Sequence, residues 1–317
     1  MCKIVRRPSL SMLFVSALVT CFVVIAGCGG GSDSVPDPSP LTYDAFGARQ
    51  LVNITGYTGD IAEPFLSRDE LYLFFNDNSF PGKNLHYATY SALIDEFTYV
   101  GEVGPGINDA STVQGVPTMD DNNIFYFVDT KFYAPLAITP VFDTLFTGTW
   151  TGTQVTGVGP VVGIAFPSPG FLNFDLEISP DGNTLYFIDG FFSGGPVPDA
   201  ADIKLANFDP GSRFFERDPN ADAIMANITT SDPEYAPAIS RDGLELFFTR
   251  LDLTSLDARI YRTSRTTTTG VFGPPQLVSA ISGFAEGATF SQDEKTIYYH
   301  WLNTSTNRFE LYRVIRP

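Results

Sequence analysis

The stretch Ile178–Gly190 reads ISPDGNTLYFIDG and joins a polar turn to a run of strand-forming residues. Its main features recur at fixed offsets in five places along the chain. A serine or threonine opens the turn, an aspartate follows two residues later, and an aliphatic residue and two aromatic residues follow after six, seven and eight. The opening residues and their aspartates are Ser67 and Asp69, Thr118 and Asp120, Ser179 and Asp181, Ser240 and Asp242, and Ser291 and Asp293.

Each residue type in this repeat has a local physical role. The serine or threonine hydroxyl can bond to the backbone two residues further on, which favours a turn. Gly182 and Gly243 suit a positive φ, but Glu70, Asp121 and Glu294 stand at the same offset, so the turn does not strictly require glycine. The apolar residues after the turn are consecutive rather than alternating, which predicts a strand that is buried on both faces.

A strand-rich repeat of about 50 to 60 residues is typical of β-propeller blades, each of which is a small sheet of four strands. The motif resembles the WD40-like (PD40) repeats of TolB-type β-propellers, and the resemblance covers residues 46–317. We therefore predict an all-β fold, a five-bladed β-propeller. Third strands are expected near Leu85–Thr89, Phe132–Leu136, Ile203–Asn207, Arg259–Thr263 and Glu310–Val314, and an outer strand is expected at Thr149–Gly159.

The two ends of the repeat region share a sequence that indicates how the ring closes. FGARQLV begins at Phe46 and FGPPQLV begins at Phe272, so both contain Phe-Gly-x-x-Gln-Leu-Val. The second fragment is the outer strand of the fourth blade, whereas no blade precedes the first fragment. The fifth repeat ends at Pro317 without an outer strand of its own. We predict that Phe46–Ile54 completes the fifth blade and removes an open sheet edge.

Residues 1–27 are predicted to be an export signal. Three basic residues precede the mostly apolar run Leu10–Ile25, which is shorter than the roughly 18 to 20 residues of a membrane span. The sequence Ile25-Ala26-Gly27-Cys28 resembles the bacterial lipobox, and this resemblance implies cleavage before Cys28 and attachment of lipid to its sulfur. An ordinary signal peptide and a short membrane anchor are the alternatives.

Residues 28–41 are predicted to be the lipidated cysteine and a flexible tether, because they contain GGGSDSVPDPSP. Residues 42–317 then form a single propeller domain. Glycine rather than aspartate follows Cys28, and resemblance to Gram-negative lipoproteins implies sorting to the outer membrane, on its periplasmic or surface face.

Composition restricts the partners of the mature chain. Removing residues 1–27 leaves 16 basic and 36 acidic side chains, a net charge of about −20, which disfavours nucleic acid. An anionic membrane surface would repel such a domain, so the lipid must provide the anchor. The cysteines are Cys2, Cys21 and Cys28, so the folded part contains none and forms no disulfide. We expect a monomer.

The candidate ligand-binding residues are acidic side chains that precede the repeat turns. In a propeller the innermost strands line a central channel, and the loops that lead into them gather on one face. At least four blades place a carboxylate there. The candidates are Glu63, Asp109, Asp175, Glu177, Glu234 and Glu286. Such acids can hold a Ca²⁺ ion, can include a glycosidase pair as in five-bladed glycoside hydrolases, or can cap turns and face water.

The rest of the sequence contains no motif that indicates catalysis. His86 and His300 are the only histidines and lie in predicted strands, where packing is favoured over metal ligation. There is no G-x-S-x-G elbow, no phosphate loop and no His/Cys cluster, and no cofactor is predicted besides Ca²⁺. We expect a non-enzymatic lipoprotein of the cell envelope that binds an envelope protein, peptide or glycan. A carbohydrate-active enzyme and a structural lipoprotein of a larger assembly are the alternatives.

Replacing Cys28 with alanine removes the sulfur to which the lipid would be attached. We expect labelled fatty acid to enter the wild type and a Cys21→Ala control, and to be absent from Cys28→Ala, when labelled cells are examined by gel and autoradiography. Equal labelling of all three proteins would show that the chain is not a lipoprotein.

Overall fold

The computed structural model describes residues 45–79, 82–194 and 197–317. The predicted export signal, Cys28 and the tether lie outside these residues. Five separate sheets contain all the described strands, and the helix α1 (Ala221–Ile224) is a single short turn. Within the described ranges, no helix is long and apolar enough to cross a membrane.

The strands follow the repeats, with one sheet for each blade. The chain begins with β1 (Gln50–Leu51). The first blade contains β2 (Ile54–Thr55), β3 (Ala62–Leu66), β4 (Tyr72–Asn76), β5 (Leu85–Ser91) and β6 (Glu96–Glu102). The second blade contains β7 (Gln114–Met119), β8 (Ile124–Asp129), β9 (Leu145–Trp150) and β10 (Val155–Pro160).

The remaining three blades have the same arrangement. The third contains β11 (Phe171–Leu172), β12 (Leu176–Ile178), β13 (Thr184–Phe191), β14 (Ala200–Asp209) and β15 (Phe214–Arg217). The fourth contains β16 (Glu234–Ile239), β17 (Glu245–Asp252), β18 (Asp257–Ser264) and β19 (Gln276–Leu277). The fifth contains β20 (Ala285–Phe290), β21 (Thr296–Asn303) and β22 (Arg308–Ile315).

The fifth sheet closes the ring. Its strand order is β1-β22-β21-β20, so the first described strand is the outer strand of the last blade. Leu51 pairs with Tyr312 in antiparallel register, and the Val52 N–H donates to the Leu311 carbonyl (2.9 Å). The predicted five-bladed propeller and its closure by an N-terminal strand are confirmed. The paired strand is shorter than predicted, because Ile54 already belongs to β2 of the first blade.

The side chains of the repeat hold its turns. In the first blade the Ser67 hydroxyl donates to Asp69 Oδ1 (2.6 Å), and the same oxygen accepts the Leu71 N–H (3.0 Å). The same serine-to-aspartate bond recurs three times, at Ser179 and Asp181, Ser240 and Asp242, and Ser291 and Asp293. These four aspartates therefore have a structural role in the turns.

The second blade opens its turn with Asp120 rather than with the predicted Thr118. The Asp120 N–H donates to the Ile124 carbonyl (3.1 Å), and its carboxylate accepts the N–H groups of Asn122 and Ile124 (2.8 Å each). Thr118 lies inside β7 instead. The second repeat therefore aligns with the other four in sequence, but its turn begins two residues later in the structure than the alignment predicts.

The third strand of the second blade is also not where the sequence suggested. Phe132–Leu136 lies in the loop between β8 and β9, and the predicted outer strand Thr149–Gly159 divides between β9 and β10. Pro135 and Pro140 flank the tip of that loop, and a proline has no N–H to donate to a sheet. The loop therefore delays the third strand by about a dozen residues.

The residue after the turn aspartate has a positive φ whether or not it is glycine. The φ values are 57°, 74°, 71° and 57° at Glu70, Gly182, Gly243 and Glu294. A glutamate in this region costs about 1 kcal/mol or more in steric strain. Both glutamates have a compensating contact, because Glu70 accepts the Gln292 N–H (2.7 Å) and Glu294 accepts the Arg241 N–H. The glutamates thus link the turns of neighbouring blades.

The second strand of each blade is buried on both faces, as the consecutive apolar residues predicted. In β4, Phe74 packs toward the second blade, where its ring centroid lies 4.9 Å from that of Trp150. Leu73 and Phe75 pack in the opposite direction, with Tyr298 of the fifth blade. One apolar cluster fills each of the five interfaces between blades. Each sheet is therefore stabilised by its two neighbours.

Deleting residues 41–55 should destabilise the whole ring, because β22 would lose its outer partner strand, β1. We expect the midpoint of thermal unfolding to fall by roughly 10 °C, because the deletion should remove a few kcal/mol of stability and each kcal/mol lowers the midpoint of a domain of this size by about 2 to 4 °C. Deletion of 29–40, which removes only the predicted tether, is the control and should leave the midpoint unchanged. An unaltered midpoint in the 41–55 deletion would show that closure does not stabilise the domain.

Candidate functional site

The innermost strands β3, β7, β12, β16 and β20 surround the central channel, and four of them are bulged. The pairing with the second strand shifts after Ala62, Gly115, Tyr235 and Glu286. The residues that follow have positive φ values, namely Glu63 (47°), Val116 (52°), Ala236 (49°) and Gly287 (64°). A bulge bends the strand and redirects its side chains. In the first and fifth blades the redirected region carries a glutamate.

Acidic, basic and aromatic side chains from four blades meet in the channel. We define the central cluster as Glu63, Lys83, Asp175, Tyr235, Glu286 and His300. Glu63, Glu286 and His300 each contribute an atom, and these atoms lie within 4.8 Å of one another. The Tyr235 hydroxyl donates to Glu286 Oε1, and His300 Nε2 lies 3.0 Å from Glu286 Oε2.

The backbone fixes the tautomer of His300. The Glu63 N–H donates to His300 Nδ1 (3.1 Å), so a proton on Nδ1 would face another donor. The ring proton therefore lies on Nε2, which donates to Glu286. Glu286 thus accepts one hydrogen bond on each carboxylate oxygen.

Asp175 is the least compensated acid of the cluster. Its Oδ2 accepts the Ala236 N–H (3.2 Å), but its buried Oδ1 has no hydrogen-bond partner among the described residues. Burial raises the pKa of Asp175 well above its ordinary value, and the charges of Glu63 and Glu286 act in the same direction.

Burial also acts on the two groups beside Asp175. Glu63 keeps part of its surface open to the channel, yet it lies deep in the ring, and this burial raises the pKa of its carboxyl. Burial lowers the pKa of the Lys83 amine, while the surrounding carboxylates oppose that change. Burial therefore favours the neutral form of each of these groups, which is the protonated form of the two carboxyls and the deprotonated form of the amine.

The space beside these groups is small. A cavity of about 40 Å³ is bordered by Glu63, Lys83, Asp175 and Tyr235. This volume has room for a few water molecules, whereas pockets for small organic ligands usually have about 300 to 1,000 Å³. The central cluster as it stands therefore does not accommodate a sugar ring.

The three residues Glu63, Glu286 and His300 do not fit a metal ion without rearrangement. His300 Nε2 carries the ring proton, so it has no lone pair for a metal, and both oxygens of Glu286 already accept hydrogen bonds. Ca²⁺ requires about six to eight oxygen ligands. The geometry favours a hydrogen-bonded network over the Ca²⁺ site that the acidic residues suggested.

Glu177 lies at the other end of the channel, close to the repeat turns. Its carboxylate pairs with Arg68 of the first blade (2.5 Å) and accepts the Thr118 hydroxyl of the second (2.6 Å). Burial raises the pKa of Glu177, and Arg68 opposes that change. Glu177 therefore ties three blades together across the axis.

Glu234 and Asp109 do not reach the central cluster. Glu234 is buried and pairs with Arg250 Nε (2.7 Å) on the neighbouring strand. Asp109 lies in the loop before β7, accepts the Ser111 hydroxyl (2.7 Å) and is 3.5 Å from the Lys131 amine. Of the six predicted residues, Glu63, Asp175 and Glu286 converge, and the other three have separate partners.

Sequence reasoning missed three members of the cluster. Lys83 comes from the loop between β4 and β5, and Tyr235 is adjacent to the predicted Glu234. His300 was expected to pack in a strand, and it does lie in β21, but its ring nitrogens also bond Glu63 and Glu286. For His300, the signal available in the sequence was a polar residue inside an otherwise apolar strand.

The chain matches no protein-family model and no curated protein sequence. A solved glycoside hydrolase is 11% identical, with a TM-score of 0.54, over 87% of this chain and 92% of that one. An endo-arabinase from Bacteroides thetaiotaomicron VPI-5482 is 13% identical, with a TM-score of 0.51, over 84% and 96%. TolB from Acinetobacter baumannii is 14% identical, with a TM-score of 0.41, over 81% and 54%. At these identities the hydrolase similarities show the fold alone.

Replacing Asp175 with asparagine tests the raised pKa of this carboxyl. An acid whose pKa is higher in the folded state loses stability as pH rises from its unfolded value, about 3.9, through the folded value. Asparagine can still accept the Ala236 N–H but cannot ionise. We expect Asp175→Asn to match the wild type near pH 4 and to unfold several degrees higher at pH 8, in thermal melts followed by circular dichroism.

The exposed Glu216→Gln substitution is the control for this experiment and should leave the pH profile unchanged. If the melting curves of Asp175→Asn and wild type stayed parallel from pH 4 to pH 8, the pKa of Asp175 would not be raised.

Proposed function

We propose that this chain is a lipid-anchored lipoprotein of the cell envelope whose TolB-like propeller binds a protein or peptide and catalyses no reaction. The observation that carries this proposal is an apolar hairpin on the face of the ring where the innermost strands begin. We call this face the upper face, and the opposite face, which holds the repeat turns, the turn face.

The hairpin is part of the loop between β8 and β9. Ala134 and Val141 pair through two backbone hydrogen bonds, in which each N–H donates to the other's carbonyl (2.9 and 3.2 Å). Leu136 and Ile138 lie at its tip, almost fully exposed. Two apolar side chains held in water by a paired hairpin gain stability only when another surface covers them.

Neighbouring side chains extend the hairpin into an apolar patch. The Tyr133 hydroxyl donates to the Phe171 carbonyl (2.9 Å), and the rings of Phe166 and Phe171 lie 4.7 Å apart. We define the apolar patch by its exposed members on this loop and beside Phe171, which are Phe132, Leu136, Ile138 and Phe166. Contiguous exposed apolar surface is typical of protein interaction sites.

The side chains along the central channel support a non-catalytic role. Glu286 and Glu177 each accept hydrogen bonds from other blades, and the cavity beside Asp175 holds only a few water molecules. The acidic mature chain and the lipobox-like sequence before Cys28 support attachment through lipid rather than through protein charge.

A carbohydrate-active enzyme is the second candidate. It is favoured by Asp175, because a buried carboxyl with a raised pKa is the kind of group that acts as a general acid. Glu63 and Glu286 lie nearby as potential partners, and the channel would have to open to admit a substrate.

Site-specific photo-cross-linking in intact cells tests the binding proposal. With the cross-linking amino acid at Ile138, we expect one dominant envelope protein to be captured, and the same substitution at Arg213 on the turn face should capture none. Leu136→Asp combined with Ile138→Asp should abolish the product without lowering the melting temperature, because both side chains are already exposed.

The same preparation distinguishes the two candidates. Hydrolysis of any envelope or plant polysaccharide by the purified protein, lost in Asp175→Asn, would overturn the non-catalytic proposal. Equal cross-linking from positions 138 and 213 would show that the apolar patch is not the binding surface.

A further inference from the structure

We infer that a second ligand site lies on the turn face, in a cleft between the third and fourth blades, and that it binds a small aliphatic amino-carboxylate zwitterion through Arg265. This inference does not depend on the proposed function, because none of the residues in the cleft belongs to the central cluster or to the apolar patch.

The cleft has the size and lining of a small-molecule site. Its volume is about 370 Å³, within the usual range of about 300 to 1,000 Å³ for such pockets. Its floor is apolar and consists of Leu205, Ile224 and Ile239, all of which are buried side chains of the blade interface. Its rim is polar and contains Thr184, Asn207, Thr268 and Thr269 together with several aspartates.

Arg265 is a buried cation with neutral partners. Its Nε donates to the Gly243 carbonyl (2.9 Å), its Nη2 donates to the Tyr186 hydroxyl (2.8 Å), and its guanidinium lies 4.3 Å from the centroid of Phe272. No carboxylate among the described residues pairs with it, and Nη1 makes no hydrogen bond to them. Removing a charge from water without a counter-charge is costly, so an anionic group in the cleft would stabilise this arginine.

The rim determines which anion suits the cleft. Asp181, Asp218 and Asp242 line it, and the Arg241 side chain is already paired with Asp121 (2.8 Å). These carboxylates would repel a phosphate or a polyanion. Asp181 and Asp242 accept hydrogen bonds within their own turns, and Asp218 accepts one from the Asn207 amide, but all three keep further lone pairs that can accept from an ammonium group.

The three features of the cleft specify one ligand class. A carboxylate can pair with Arg265 at the floor, an ammonium group can meet the aspartates of the rim, and an aliphatic side chain can cover Leu205, Ile224 and Ile239. Arginine is suited to carboxylates because its planar N–H groups match the two oxygens. An aliphatic α-amino acid or a short peptide of such residues meets all three conditions.

Titration calorimetry on the full processed protein in detergent tests this site, with L-leucine and leucyl-leucine as probes. We expect at least one of them to bind with a Kd below about 1 mM. N-acetyl-leucine lacks the ammonium group and leucinamide lacks the carboxylate, so each should bind about tenfold more weakly or worse. Inorganic phosphate and glucose should not bind.

Two variants separate loss of the site from loss of the fold. Arg265→Gln removes the cation and should abolish binding. A Cβ added at Gly243 would lie 3.3 Å from Thr268 Cγ2 and 3.9 Å from Arg265 Nη2, so both side chains lie near Gly243 and line the same cleft. Thr268→Glu should supply an internal counter-charge, abolishing binding while raising the melting temperature. Lys295→Gln, on the turn face of the fifth blade, is the control and should bind as the wild type does.

The outcomes are decisive in both directions. Zwitterion binding that is lost in both variants and kept in Lys295→Gln supports the site. The inference is wrong if neither zwitterion binds up to about 10 mM, if Arg265→Gln binds normally, or if phosphate or glucose binds more tightly than the zwitterions. Cross-linking from Ile138 should persist in Arg265→Gln. A negative result for the Arg265 cleft therefore does not bear on the proposed binding surface of the upper face.

Discussion

The pairing of β1 with β22 is the interaction on which the rest of the structure depends. It makes the first described strand the outer strand of the last blade, so the two ends of the described chain are held in one sheet and the edge of β22 is covered. The segment before β1 contributes as well, because Phe46 packs edge-to-face on Phe247 (6.1 Å) and lies under the Arg262 guanidinium (5.1 Å). Closure gives every blade two neighbours, so each of the five interfaces can hold an apolar cluster.

Closure also determines what the centre of the ring can do. Five innermost strands converge on one axis, and their bulges bring Glu63 and Glu286 within a few ångströms of His300. Charged groups in such a position must be paired, hydrogen-bonded or neutral. Glu286 and Glu177 are hydrogen-bonded across blades, whereas Asp175 shows a raised pKa instead. The centre is thus occupied by the protein's own side chains.

The fold could be predicted from sequence because its signals are local. A turn such as Ser67 to Tyr72 and the strand after it are encoded within about ten residues, and the shared fragments at Phe46 and Phe272 encode the closure. The second blade was harder to predict, because its turn opens with Asp120 and the loop before β9 is long. Loop length follows no periodic pattern, so the third strand was placed too early.

The site could be predicted only in part, because its members come from different blades. Acidic residues before each turn were visible in sequence, but which of them meet depends on bulges and on side chains such as Lys83 and Tyr235. The Arg265 cleft had no sequence signal, since it forms where two blades face each other. Distances across a ring are set by its closure and cannot be read from the spacing of residues in the chain.

Hydrogen–deuterium exchange at the amides of Gly47 and Val52 tests ring closure most directly. Their N–H groups donate to the carbonyls of Ile315 and Leu311 in β22 (2.8 and 2.9 Å). If closure holds the domain together, both amides should exchange as slowly as those of the buried strand β4, through unfolding of the whole domain. Rapid exchange at these two amides while β4 and β22 remain protected would show that the ring is stable without its N-terminal strand.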